Sequence, residues 1–136
     1  NNSIFIEKLR TSGLRPTKQR IEICKLLFDR KKTFHFTIND LSKILQKENN
    51  KQVSTATIYN TINSFKKKGY LKEISVNKEK IYFDTNTSDH HHFLDINTNE
   101  LIDLKKEHVD KVTIKKNLPG KKINSIEVLV KIENSN

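Results

Sequence analysis

All of the chain's excess positive charge lies in its first half. Residues 1–69 hold 15 Lys and Arg against 5 Asp and Glu, whereas residues 70–136 hold 11 of each. A basic surface that only aids solubility would not divide this way. A basic half joined to a neutral half implies a polyanion-binding module followed by a part with another task. The 136 residues suffice for one domain or two small ones. No apolar run approaches the ~18 residues of a membrane span, so no membrane partner is expected. No signal peptide opens the sequence, and without an initial Met its start can lie upstream. Cys24 is the only cysteine. That excludes a disulfide framework or a thiolate zinc site within one chain, and a cytoplasmic protein is expected.

The basic half reads as helices. Ser3 to Ser12 places Ile4, Phe5 and Leu9 on one side and stops at Gly13. Thr17 caps a second helix to about Asp29, with Ile21, Cys24, Leu27 and Phe28 in a stripe. Cys24 on that stripe reads as a buried, inert thiol. Thr37-Ile38-Asn39-Asp40 resembles a capping box, with Asp in place of Glu, and opens a third helix on Leu41, Ile44 and Leu45. Gln46 to Gln52 reads as a loop. Ser54 caps a fourth helix, Thr55 to Lys68, that buries Ile58, Ile62 and Phe65 and ends at Gly69. Thr55, Thr57, Tyr59, Asn60 and Asn63 would be exposed on it, able to reach base edges and phosphates. Two helices joined by a short turn, the second polar, in a basic half, indicate a helix-turn-helix.

Tyr70 to Val76 and Lys80 to Thr85 read as two strands about Asn77-Lys78-Glu79, which completes a winged helix. Lys78 and Lys80 of the wing would meet the DNA backbone. Asn86 to Ser88 is a polar linker. The expected division is a winged-helix DNA-binding domain at 1–85 and a small α+β domain at 86–136. In the latter, Phe93 to Ile96 and Glu100 to Leu104 form a hairpin, Lys105 to Lys116 a helix, and Ile126 to Ile132 a half-buried strand. That part is too small to hold a full core alone, and a second copy would bury its apolar face, giving a homodimer.

Asp89-His90-His91-His92-Phe93-Leu94-Asp95 gathers three of the five histidines. In a strand, His90 and His92 face one side and His91 the other, which suits two neighbouring sites better than one. Neutral imidazole ligates divalent metals and also haem iron. A solvated run or a tag fragment is the plain alternative, but the run is internal and flanked by apolar residues.

Several of these stretches together resemble the ferric uptake regulator superfamily: Leu14-Arg15-Pro16-Thr17-Lys18-Gln19-Arg20, His35-Phe36-Thr37 at the opening of a helix, Ser54-Thr55-Ala56-Thr57-Ile58-Tyr59-Asn60, and Asp89-His90-His91-His92-Phe93. They come in the family's order, from about residue 5 to residue 132. The resemblance implies an α+β protein: an N-terminal winged helix-turn-helix domain followed by a small α/β dimerisation domain, acting as a dimeric metal-responsive regulator on a double-stranded DNA operator. It implies His35, Asp84, His90, His92 and Asp103 as ligands of a regulatory Fe(II), Mn(II) or Zn(II). It assigns Asp89, His91 and Asp110 to a second metal or haem site. Ser54, Thr55, Thr57, Tyr59 and Asn60 match the DNA-reading helix, and Arg15 and Arg20 match basic positions that approach the duplex.

The chain departs from the family in one respect. Asp95 and Thr98 stand where many members carry a Cys-x-x-Cys pair, so no four-cysteine structural zinc is expected. The peroxide-sensing branch usually keeps that pair. The cysteine-free histidine run, followed by Asn-Glu-Leu-Ile-Asp and Leu118-Pro119-Gly120, is most similar to the iron response regulator branch, which responds to haem. The occasional Cys-Pro haem motif is missing, since Lys25 follows Cys24. The leading expectation is a metal- or haem-responsive regulator of iron homeostasis genes. A zinc-, manganese- or peroxide-responsive repressor is the alternative. A metal hydrolase is disfavoured because no His-Glu-x-x-His or nucleophile arrangement appears, and a metal-buffering protein would show no DNA affinity.

Overall fold

The computed structural model describes residues 1–49 and 53–136, with the side chain of residue 49 left aside. The chain forms two compact units, Asn1–Thr87 and Ser88–Asn136.

The first unit opens with α1 (Ser3–Thr11) and α2 (Lys18–Phe28). Between them Gly13 takes φ 77, a backbone region that a side chain disfavours. Thr17 caps α2 by accepting the Arg20 amide at 3.3 Å. Then come β1 (His35–Phe36), α3 (Ile38–Asn49) and α4 (Thr55–Lys68). The Thr37–Asp40 box is reciprocal: Asp40 Oδ2 accepts the Thr37 amide, and Thr37 Oγ1 accepts the Asp40 amide, both at 3.1 Å. Ser54 Oγ accepts the Thr57 amide at the start of α4, and Gly69, at φ 92, ends it.

Leu9, Ile23, Leu27, Leu41, Leu45, Ile58, Ile62 and Phe65 meet in one core, each at most 1% exposed. Burying a side chain of this size stabilises by about 1.5–3 kcal/mol. Cys24 joins them, and burial pushes its thiol up to about 12 from 9.0. Ile23 carries more of the α2 packing than Ile21 or Phe28, which are half-buried. Thr61 is also buried, and its hydroxyl donates back to the Thr57 carbonyl at 2.7 Å. Lys8 lies over the rings of Phe28 and Tyr70, 4.3 and 4.0 Å from their centroids, which fastens α1 to the end of α4.

A three-stranded antiparallel sheet of order β1-β3-β2 completes the unit, with β2 at Lys72–Ser75 and β3 at Ile81–Asp84. One reading gains detail here and one changes. His35-Phe36-Thr37 does lead into a helix, α3, and its first two residues also form a strand, because they pair with Asp84 and Phe83. Its Phe36 ring stacks between Phe34 and Phe83, at 5.3 and 5.7 Å. The loop expected from Gln46 is instead the last turn of α3, which runs to Asn49; its remaining residues, 50–52, lie outside the described residues.

The second unit is a sheet of order β5-β4-β6. β4 (His91–Asp95) pairs antiparallel with β5 (Glu100–Leu104) and parallel with β6 (Leu129–Ile132). Asp95 Oδ1 accepts the amides of Asn97 and Thr98, and Asn99 turns at φ 62, which closes the hairpin. Leu94, Leu101 and Leu104 are buried. The helix expected at Lys105–Lys116 is absent: one 3₁₀ turn at Lys106–His108 is followed by 109–128 with no regular element. Val109, Val112, Thr113 and Ile114 are β-branched, and the lysines around them repel one another, so neither propensity nor charge supports a helix. The last strand starts at Leu129 rather than Ile126. Ile114 and Leu118 are 53% and 71% exposed, apolar surface that a single copy leaves uncovered.

Candidate functional sites

The first group of candidate ligands lies within the first unit. The β1–β3 register sets His35 opposite Asp84, and His35 Nε2 stands 3.0 Å from Asp84 Oδ2. Asp84 is fully buried. Its other oxygen, Oδ1, accepts the Asn86 amide at 2.8 Å, which fixes the carboxylate's orientation.

The second group lies within the second unit. His90 and His92 are 9% and 5% exposed, while His91 is half-buried on the alternate face. Their rings lie 4.4 Å apart, and the β4–β5 register sets His92 opposite Asp103. Asp103 Oδ1 stands 3.1 Å from His90 Nε2 and 3.4 Å from His92 Nε2. His90 Nδ1 faces the Ser88 carbonyl oxygen at 2.7 Å. A carbonyl can only accept, so Nδ1 carries the hydrogen, and in the neutral ring Nε2 keeps its lone pair for a ligand bond.

These spacings fit a metal. Two donors each about 2.1 Å from one ion lie about 3.0 to 3.4 Å apart in octahedral or tetrahedral geometry. Each group has that spacing, and imidazole combined with carboxylate suits Mn(II), Fe(II) or Zn(II).

His91 is engaged differently. Its Nδ1 accepts the Val128 amide at 3.1 Å. The neutral ring then carries its hydrogen on Nε2, so neither nitrogen is open to a metal or haem iron while that bond holds. Asp89 and Asp110 are exposed, and among the described residues the structure does not gather them with His91 as a ligand cluster.

The candidate nucleic-acid surface is on the first unit. Tyr59 is 58% exposed on α4, with Thr55 and Asn60 exposed beside it. Thr57 and Asn63 are half-buried. Ser54 is exposed, but its hydroxyl is engaged in capping and lies 2.9 Å from Thr57 Oγ1. Lys66, Lys67 and Lys68 are exposed at the helix end. Arg15 is exposed; Arg20 is half-buried and donates from Nη1 to the Arg15 carbonyl at 3.0 Å. Sequence reasoning missed this second role of Arg20, which steadies the turn that presents Arg15. Among the described residues no helix is long and apolar enough to cross a membrane.

The sequence profile of the Ferric uptake regulator family matches residues 11–131. The peroxide operon regulator of Bacillus subtilis is 32% identical over 107 residues, covering 79% of this chain and 72% of that protein. The peroxide-responsive repressor PerR of Staphylococcus epidermidis is 31% identical over 107 residues, covering 79% and 69%. Among solved structures, the ferric uptake regulator of Pseudomonas aeruginosa with manganese superposes with TM-score 0.67 at 20% identity, over 98% of this chain and 99% of that one. The Vibrio cholerae ferric uptake regulator gives TM-score 0.70 at 18% identity, over 95% and 98%. At those identities the structures establish a shared fold.

Proposed function

Because this chain belongs to the ferric uptake regulator family, whose members are metal-responsive DNA-binding transcription regulators and not enzymes, we propose that one divalent ion held by His35, Asp84, His90, His92 and Asp103 controls its grip on an operator. The hydrolase reading falls with the family.

The observation that carries the proposal is the donor spacing. The first unit supplies one imidazole and one carboxylate 3.0 Å apart, and the second supplies two imidazoles about a carboxylate oxygen at 3.1 and 3.4 Å. Neither group alone fills a five- or six-coordinate shell; together they offer five donors of matching type. An ion that draws ligands from both units couples them, so the apo and loaded proteins present α4 to DNA differently. Tyr59, Thr55 and Asn60 read the duplex, with Thr57 and Ser54 at the helix start. Arg15 and the Lys66–Lys68 run meet the backbone, and Arg20 positions Arg15. The protein acts in the cytoplasm as a homodimer whose symmetry matches a palindromic site.

A labelled A/T-rich palindromic duplex tests this by fluorescence anisotropy. The chelated protein binds weakly and Mn(II) tightens it; binding indifferent to metal overturns the proposal.

The curated relatives favour peroxide over haem as the further signal, since both carry peroxide-regulator names. Fe(II) held by His35, Asp84, His90, His92 and Asp103 would supply a reductant that hydrogen peroxide can oxidise, so peroxide is expected to release DNA from the Fe(II)-loaded protein and not from the Mn(II)-loaded one. The iron response regulator reading, with haem as effector, draws no support from these relatives or from His91. Release of DNA by haem but not by peroxide would restore it.

A further inference from the structure

One row of residues crosses the first unit's sheet from edge to edge. In the order β1-β3-β2, His35 stands opposite Asp84, and Asp84 stands opposite Lys72 on its other side. Residues directly opposite each other share a face of a sheet. The neighbouring row is Phe36, Phe83 and Glu73, and it faces the helices: both rings join the core, and Glu73 Oε1 accepts a hydrogen bond from Lys66 Nζ of α4 at 3.0 Å. Lys72 therefore leaves the sheet on the ligand face, beside Asp84, where it is half-buried. Neighbouring strands run about 4.8 Å apart, so its side chain is rooted one strand from the fully buried carboxylate. As an ammonium, Lys72 has no lone pair with which to ligate an ion itself.

We propose that Lys72 sets the metal threshold of the regulator: its charge stands in for the divalent ion beside Asp84 in the unloaded protein and opposes that ion's entry. This rests on the five-donor reading above and deepens it. A carboxylate taken out of water needs a positive partner, and removing that partner is strongly destabilising. Lys72 meets that need from β2 when no ion is present, which holds the carboxylate in place. The same charge repels an arriving Mn(II) or Fe(II). In a partly buried site this repulsion is screened far less than at the surface. The outcome is a site formed in advance that loads only when metal is abundant. The compact ammonium can swing outward on its flexible stem as the ion enters, which limits the penalty.

Mn(II) titration calorimetry of the full-length protein tests this, with wild type, Lys72→Gln, Lys72→Arg and Asp84→Asn, beside urea unfolding of the chelated proteins. Lys72→Gln is expected to bind Mn(II) about three- to tenfold more tightly than wild type while unfolding at lower urea. Lys72→Arg keeps the charge and stays near wild type in both. In the Asp84→Asn background, where no carboxylate needs a partner, Lys72→Gln should leave the urea midpoint unchanged. A residue that only supports the sheet would lose stability on either background and would not gain metal affinity. Lys72→Gln with wild-type or weaker Mn(II) affinity overturns the inference, and so does an equal loss of stability with and without the Asp84 carboxylate. Mn(II) binding that survives Asp84→Asn unchanged overturns the five-donor reading instead, an outcome distinct from either.

Discussion

His35 and Asp84 face each other across the β1–β3 pairing, with Nε2 and Oδ2 3.0 Å apart. A two-residue strand is enough to hold the pair, because Phe36 beside it is fully buried and stacked on Phe83. The carboxylate is buried and held by the Asn86 amide, so its geometry is set before any ion arrives. Asp84→Asn keeps the shape and removes the charge. It is expected to weaken Mn(II) binding at least tenfold, the lower end of about 10–100-fold for disturbing even a ligand's hydrogen-bonding partner. Isothermal titration checks this, and unchanged affinity removes Asp84 from the ligand set.

Tyr59 separates recognition from stability. It is 58% exposed on α4 while Ile58 and Ile62 hold the helix to the core. Tyr59→Ala should leave the unfolding free energy within about 0.5 kcal/mol of wild type. Operator affinity should fall roughly tenfold, in the range of about 1–3 kcal/mol for a base contact. Denaturant unfolding and anisotropy on the same sample distinguish the two effects.

The Ser54 cap makes the opposite kind of claim. Its hydroxyl accepts the Thr57 amide, and Ser54→Ala should cost about 1 kcal/mol of stability. Ser54→Asp should recover most of it, since Asp caps equally well and suits the positive helix end. Urea unfolding of the three proteins is the check.

These elements also show how far the sequence could be read. The caps at Thr17, Thr37 with Asp40, Ser54 and Gly69 are local signals, and each places a helix end within a residue or two. The alternation of His90, His91 and His92 is local too, and the buried and half-buried pattern follows it. The β1 strand was not legible, because His35 and Phe36 become a strand only through partners some 50 residues away. The same holds for Arg20, whose bond to the Arg15 carbonyl depends on the turn's shape. The helix expected at 105–116 does not form, because β-branching and like charge prevail along that stretch.

Cys24 gives a pH dependence with a definite sign. Burial pushes its thiol from 9.0 up to about 12. Above pH 9 the unfolded chain loses this proton while the folded one keeps it, so stability is intact below pH 9 and declines as pH rises towards 12. Cys24→Ala should remove that part of the alkaline slope, at the cost of a smaller core side chain. Stability curves of both proteins from pH 8 to 11 check it, and the native thiol should resist a thiol reagent at pH 8.

The most direct measurement is Mn(II)-dependent operator binding by wild type, His35→Ala and His92→Ala, followed by anisotropy from the chelated state upward. His35→Ala removes a donor from the first unit and His92→Ala one from the second. Wild type should gain affinity on Mn(II) addition, and both variants should bind as the chelated protein does across the titration. If either variant responds to Mn(II) as wild type does, the ion is not shared between the two groups of ligands, and metal control of DNA binding must arise elsewhere.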